Sequence, residues 1–292
     1  MKGESTGLQM VPHKSHRSYM SHIPLSQDHF SDLESAAWLK RLGVARAMAV
    51  ARQALATTGS AAGLADWLSP PELMRLQELT FAKRRQEWLG GRLAAKHAAC
   101  RVLALAGAGP GPAWSNLAVT NRPSGRPALN LFPAGPPRLL PDISISHSHG
   151  WAVAMAVMGA TCGIDLQLVS TKTVAVRDRF CMVREQDKIC RLTGAPAPPE
   201  LGLTLLWAAK EAVRKAAVQE RLPGFLEMEL VEARCPAAGQ WVLVFAVGAA
   251  RAMCAVAATF WGDFALAFTV VDEQGTKWHR GRVTKHIEQY FL

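Results

Sequence analysis

Apolar positions recur at helical spacing through residues 32–58, until a run of small residues at 57–63 breaks the pattern. Ser69-Pro70-Pro71-Glu72 then sets serine at an N-cap, proline at N1 and glutamate at N3, a capping box that predicts a short helix to about Leu79. Residues 81–105 read as a second helix, basic on one side through Lys83, Arg84, Arg85, Arg92 and Lys96, and a Gly/Pro-rich connector at 107–112 ends it. The texture then changes to short runs of strand character. Residues 121–129 form a turn leading into extended chain, and residues 133–141 are a second loop. Ile143-Ser144-Ile145-Ser146-His147-Ser148 alternates apolar and polar, as a half-buried strand does. Residues 151–157 alternate too, which predicts a hairpin across His149-Gly150. Residues 161–168 form a further strand, and Glu185 opens a short helix that breaks at Gly194. Residues 204–220 contain no Gly or Pro and predict a helix. Residues 226–234 and 240–247 read as strands, and 254–261 with 264–271 as a hairpin around Gly262-Asp263.

Two polar positions stand out against this frame. On the 204–220 helix, Trp207, Glu211, Lys215 and Val218 share a face. Taken alone, Glu211 and Lys215 are an ordinary i,i+4 surface pair worth about 0.2–0.5 kcal/mol. On the 161–168 strand, Asp165 and Gln167 share one side with Gly163, while Ile164 and Leu166 point the other way. An acid on the inner side of an apolar strand is costly unless it is paired or bound to a metal. Asp165 is thus a candidate ligand for a hard divalent cation.

Composition narrows the classes. The chain has 292 residues, 49% hydrophobic and 19% charged, with formal net charge +10. That charge favours an acidic or phosphorylated partner. Only Phe81 and Trp88 accompany the basic residues of that helix, too few aromatics for the interleaving that nucleic acid would call for. The apolar stretches near the C-terminus are cut by Arg251 and Asp263 and fall short of the ~18 residues a spanning helix needs. The six cysteines have no C-x-x-C pair and no metal-like spacing with histidine, and read as small buried hydrophobes in a reducing compartment. Residues 1–31 lack the apolar run of a secretory signal and are expected to be a mobile arm. A basic tail, 278–292, has no assigned role.

The motifs together resemble the 4'-phosphopantetheinyl transferase superfamily. Gly163-Ile164-Asp165 matches its G-I/V-D strand, and Trp207-Ala208-Ala209-Lys210-Glu211-Ala212 its W-x-x-K-E-A/S helix. Leu68-Ser69-Pro70-Pro71-Glu72 and Arg85-Gln86-Glu87-Trp88-Leu89-Gly90-Gly91-Arg92 match the N-terminal signature, Gly125-Arg126-Pro127 the G-K/R-P element, Ser144-Ile145-Ser146-His147-Ser148 the S-x-S-H element, and Arg179-Phe180-Cys181-Met182-Val183-Arg184-Glu185 the R-F-F-T/S-x-x-E segment. The length is similar to the two-half monomeric, surfactin-synthetase-activating type. What the resemblance implies is an α+β fold of two similar halves, each a small antiparallel sheet packed on helices, related by a pseudo-twofold axis. The halves are expected at 32–160 and 161–277, between the arm 1–31 and the tail 278–292.

The implied activity is Mg2+-dependent transfer of the 4'-phosphopantetheine group of coenzyme A to a serine of an apo acyl or peptidyl carrier protein, in the cytoplasm, by a monomer. The resemblance assigns Glu211 and Lys215 to catalysis. It gives Asp165 and Glu211, with Gln167 where relatives carry a second acid, to the metal. Lys83, Arg85, Arg126, Ser146, His147 and Lys215 go to the phosphates of coenzyme A, and Arg177, Arg179 or Arg184 to the acidic carrier. No nucleic acid or membrane is expected. Which pathway is served, fatty acid, polyketide or nonribosomal peptide, stays open. Gln167 also motivates an alternative, an impaired scaffold that binds coenzyme A without turnover. The net charge motivates another, a non-catalytic basic binding protein.

Overall fold

The computed structural model describes residues 31–32, 46–52, 62–106, 112–134, 139–193, 197–217, 222–237 and 239–272. The expected tail, and the expected arm apart from Ser31, lie outside them. The architecture is α+β. In chain order come β1 (Ser31–Asp32), β2 (Arg46–Arg52), α1 (Pro70–Glu78), α2 (Ala82–Leu105), β3 (Leu117–Asn121), β4 (Pro127–Leu131), β5 (Asp142–Ser148), β6 (Trp151–Val157) and β7 (Ala160–Leu168). Then follow α3 (Lys172–Ala175), α4 (Val183–Thr193), α5 (Pro199–Ala216), β8 (Met228–Ala237), β9 (Gln240–Val247), β10 (Ala252–Trp261) and β11 (Phe264–Asp272). One antiparallel sheet has the order β1-β2-β6-β5, a second β7-β11-β10-β9-β8, and β3 pairs with β4.

The helix expected across 32–58 is a correction: residues 46–52 are strand β2, paired with β6 from Arg46↔Val157 to Arg52↔Trp151. Its sequence, Arg-Ala-Met-Ala-Val-Ala-Arg, alternates large and small with the period of a strand. Alanine's helix propensity is weak enough for cross-strand pairing to override it. Helix α5 starts at Pro199, earlier than expected, with proline in its first turn, and ends at Ala216; Val218 lies outside the described residues. The expected hairpin turn is present, with His149 and Gly150 both at positive φ (44° and 85°), the backbone of a type I′ turn.

Each large sheet carries one long helix. Helix α2 packs on β6 through Ala154 and Ala156, and on β5 through Ile143. The opposite face of β6, Val153, Met155 and Val157, packs against Ile164, Leu166, Leu266 and Phe268 of the second sheet. Strand β6 is therefore buried on both faces, and its small residues let α2 approach. Helix α5 covers the other side of the second sheet with Leu205, Ala209 and Ala212 against Leu243, Phe245 and Ala267. Gly163 is the contact point: a Cβ there would lie 1.9 Å from the carbonyl oxygen of Ala212. The glycine lets helix backbone rest on strand backbone.

Two buried ion pairs of the same construction pin these helices. Lys96 of α2 bonds the Glu72 carboxylate and the carbonyls of Trp67 and Trp114, while Glu72 accepts from the amides of Ser69 and Val119. Lys210 of α5 bonds the Glu185 carboxylate (2.8 Å) and the carbonyls of Phe180 and Phe225, while Glu185 accepts from the amides of Met182 and Leu230. Both lysine side chains are fully buried. Burial pushes both ammonium groups below their ordinary range, and the paired carboxylates pull them back.

Of the cysteines, Cys162, Cys181 and Cys254 are buried as expected, and burial pushes the Cys254 thiol up to about 11. Cys235 is exposed, a correction to the uniformly buried reading: it sits near the end of edge strand β8, where one face meets solvent.

Candidate active site

The two large sheets meet where β5 lies along the open edge of β7. No backbone ladder joins these strands; side chains do. Asp142 accepts from the amide of Cys162 (2.9 Å), Ser144 from Ile164 (3.0 Å), Ser146 from Leu166 (3.2 Å) and Ser148 from Leu168 (3.2 Å). The offset is constant at 20 residues, so the strands run in register along the seam. Every second amide of β7 points at this edge, and every second side chain of β5 supplies an acceptor. The polar face of β5, expected to meet water, is thus buried: Ser144, Ser146 and Ser148 are 2%, 5% and 8% exposed.

Asp165 sits on this seam, buried, facing α5. Its Oδ1 accepts from Ser146 Oγ (2.8 Å) and from Lys215 Nζ (2.7 Å). Among the described residues no hydrogen bond reaches Oδ2. Lys215 also donates to the Ile164 carbonyl (3.1 Å). Glu211, one turn before Lys215, lies close enough to Asp165 that the two carboxylates repel. Burial first, and Asp165 second, hold the Glu211 carboxyl above its ordinary range, with Lys215 and Arg214 opposing. Arg214 Nη1 is 3.3 Å from Glu211 Oε1, its Nε donates to the Pro223 carbonyl, and its guanidinium lies over the Phe225 ring. Trp207 stacks on the same ring, Phe225, at 4.8 Å.

This donor set fits a divalent cation. The two carboxylates repel each other despite Lys215 and Arg214 beside them, Asp165 Oδ2 accepts no hydrogen bond among the described residues, and Mg2+ binds through one or two carboxylates while keeping several waters. Gln167, half-buried on the same strand, adds a neutral amide oxygen. No cluster of three or more His, Cys, Asp or Glu occurs among the described residues, so water would complete the shell.

A cavity of about 680 Å³ opens on the other side of β5. Phe81, Lys83, Arg84, Glu87, Trp88 and Arg92 of the α2 segment line one wall, with Asn121, Gly125, Pro127, Ile145 and His147 opposite. His147 is half-exposed, with Nδ1 3.8 Å from Glu87, and Lys83 is almost fully exposed. Arg92 lies over the Trp88 ring at 4.7 Å. Its Nε is buried with no hydrogen-bond partner, and burial pushes its pKa down. Arg92 Nη2 reaches Asn121 Oδ1 at 3.5 Å, and a guanidinium at a cavity wall has the geometry that suits a phosphate.

The sequence-derived phosphate set therefore divides. Lys83 and His147 line the cavity. Arg85 instead donates to the Leu76 carbonyl (2.6 Å), tying α2 to α1. Arg126 is buried, ion-paired with Asp142 and bonded to the carbonyls of Lys215 and Cys162, so it closes one end of the seam. Ser146 faces Asp165, and Lys215 joins it there. Arg84 and Arg92 also line the cavity; the sequence places both on the basic side of the helix, but the motif assigns neither to the phosphates. Helical phase joins them to the cavity, because 84, 88 and 92 fall on one face.

Residues 161–269 match the model of the 4'-phosphopantetheinyl transferase superfamily. The match holds Asp165, Glu211 and Lys215 but covers under half of the chain. Among solved structures, the chain is similar to the crystal structure of Thermotoga maritima holo-(acyl-carrier-protein) synthase (AcpS), at 19% identity and a TM-score of 0.31, covering 47% of this chain and 74% of that one. No curated protein matches the chain. The matched segment contains α5 and, from Thr161 on, β7; the residues that line the cavity beyond β5 lie outside it.

Proposed function

We propose that this chain transfers the 4'-phosphopantetheine arm of coenzyme A to a serine hydroxyl of an apo acyl or peptidyl carrier protein, releasing adenosine 3',5'-bisphosphate. The observation that carries the reading is the convergence of Asp165, Glu211 and Lys215 midway along a seam whose other face is a basic cavity. Mg2+ would be held by Asp165 and Glu211, with Gln167 and water, and would supply positive charge to the pyrophosphate. Glu211, or a water it orients, takes the serine proton. Lys215 leaves Asp165 for the leaving phosphate and steadies its growing charge. Lys83, Arg84, Arg92 and His147 hold the nucleotide phosphates. Arg85 and Arg126 keep the surrounding frame in place. Arg179, exposed between the two acidic motifs, meets the carrier with Arg177 and Arg184.

The twin buried ion pairs at Lys96–Glu72 and Lys210–Glu185, each with two amides and two carbonyls, support the two-half monomeric type over a single-half subunit. Incubation with coenzyme A, Mg2+ and a panel of apo-carriers should add one phosphopantetheine mass to the carrier, and chelation with EDTA should prevent it. Failure across acyl and peptidyl carriers would sink the proposal. Gln167 favours one second reading, a scaffold that binds coenzyme A without turnover: calorimetric binding of coenzyme A with no mass added to any carrier is its signature.

A further inference from the structure

We infer that Ser146 is a positioning residue for Asp165 and not a phosphate ligand. The inference rests on the proposed metal site at Asp165 and Glu211. Strand geometry is the first reason. Successive side chains of β5 point to opposite faces, and Ile145 and His147 line the cavity, so Ser146 faces away from it. Hydrogen-bond capacity is the second. A hydroxyl has one proton, and that of Ser146 goes to Asp165 Oδ1 at 2.8 Å while its oxygen accepts from the Leu166 amide at 3.2 Å. At 5% exposure no donor is left over for a phosphate.

The third reason is the contrast within the seam. Asp142, Ser144, Ser146 and Ser148 all cap amides of β7, yet only Ser146 among the described serines also bonds a site carboxylate. Ser146 and Lys215 both engage Oδ1, which leaves Oδ2 without a hydrogen bond among the described residues. Hydrogen bonds of this kind to a ligating carboxylate fix its orientation, and their loss typically costs about 10–100-fold in metal affinity.

The test compares Ser146→Ala with Ser144→Ala and Ser148→Ala in the full chain. Mn2+ affinity is read by electron paramagnetic resonance without coenzyme A. Affinity for adenosine 3',5'-bisphosphate is read by calorimetry in EDTA, and Tm by scanning. Ser146→Ala should weaken Mn2+ binding ~10-fold or more and leave nucleotide affinity unchanged. Ser144→Ala and Ser148→Ala should lower Tm comparably and leave Mn2+ affinity unchanged. Ser146→Cys, close in size but a poor donor, should repeat the metal defect if the alanine variant fails to fold. Unchanged Mn2+ affinity in the Ser146 variants, or an equal loss in all three serine positions, overturns the inference while leaving the metal site standing. Loss of nucleotide affinity with metal affinity intact restores the phosphate role. A wild-type chain that binds no Mn2+ overturns the metal site, and the inference with it.

Discussion

Glu211 carries a conflict between stability and chemistry. Burial and the neighbouring Asp165 raise its carboxyl, so the folded state disfavours the ionised form. Its contribution to folding is intact below the ordinary glutamate range and is lost as pH rises through the raised folded value. Without metal, Glu211→Gln should therefore stabilise the protein, with a larger rise in Tm at pH 8 than at pH 5 by scanning calorimetry, while removing turnover. Equal rises at both pH values would contradict the assignment. Asp165→Ala and Glu211→Ala should each lower kcat/KM by ~10²–10³, the scale of lost electrostatic stabilisers. Gln167→Ala, which removes only a neutral oxygen, should cost much less. Arg92→Gln should raise KM for coenzyme A and leave kcat nearly unchanged, because the guanidinium lies at the cavity and not at Asp165.

At the level of elements, the site depends on how closely α5 rests on β7. The added methyl of Gly163→Ala would meet helix backbone at 1.9 Å, and backbone cannot yield as a side-chain tip can. The variant should push α5 outward, cost more than the ~1–3 kcal/mol usual for overpacking, and separate Glu211 and Lys215 from Asp165. A lowered denaturation midpoint together with lost Mn2+ binding checks this. Lys210 precedes Glu211 directly and anchors the same helix from its other side. Lys210→Met leaves Glu185 buried and unpaired and should cost about 3–5 kcal/mol. Lys96→Met breaks the equivalent pair under α2 at a similar cost in urea-midpoint measurements. Only the Lys210 change acts on the helix that holds the acidic site.

Across the whole molecule, the two sheets share the core between β6 and β7 but not a backbone ladder. They are joined at the functional seam by four side-chain acceptors and by Arg126, which bonds β5, β7 and the end of α5 together. Arg126→Ala should therefore lower Tm and kcat together and not act on KM for coenzyme A alone. The net charge of +10 would draw both a phosphorylated nucleotide and an acidic carrier. Long-range attraction is screened within about 8 Å at physiological ionic strength and about 3 Å at 1 M. KM for the carrier should rise steeply with salt in the wild type and more shallowly in an Arg177→Gln, Arg179→Gln, Arg184→Gln triple variant. An unchanged salt slope would remove these arginines from the docking surface.

Much of this was legible in the chain. The capping serine and N3 glutamate of α1, the part of α5 from Thr204 to Ala216, the His149-Gly150 turn and the order of the short strands are local matters of capping, propensity and backbone conformation, and local chemistry writes them into the sequence. Asp165 and Glu211 were legible as an acid on an inner strand face and an acid on a helix. The serines of β5 were legible only as a polar face. Whether a polar face meets water or another strand's amides depends on what packs against it, and period two is the same in both cases. Arg126, Arg85 and Ser146 carry donors that suit a phosphate, but tertiary packing spends those donors on Asp142, Leu76 and Asp165. Residues 46–52 became a strand because β6 lay beside them, a partner more than a hundred positions away that no local window contains.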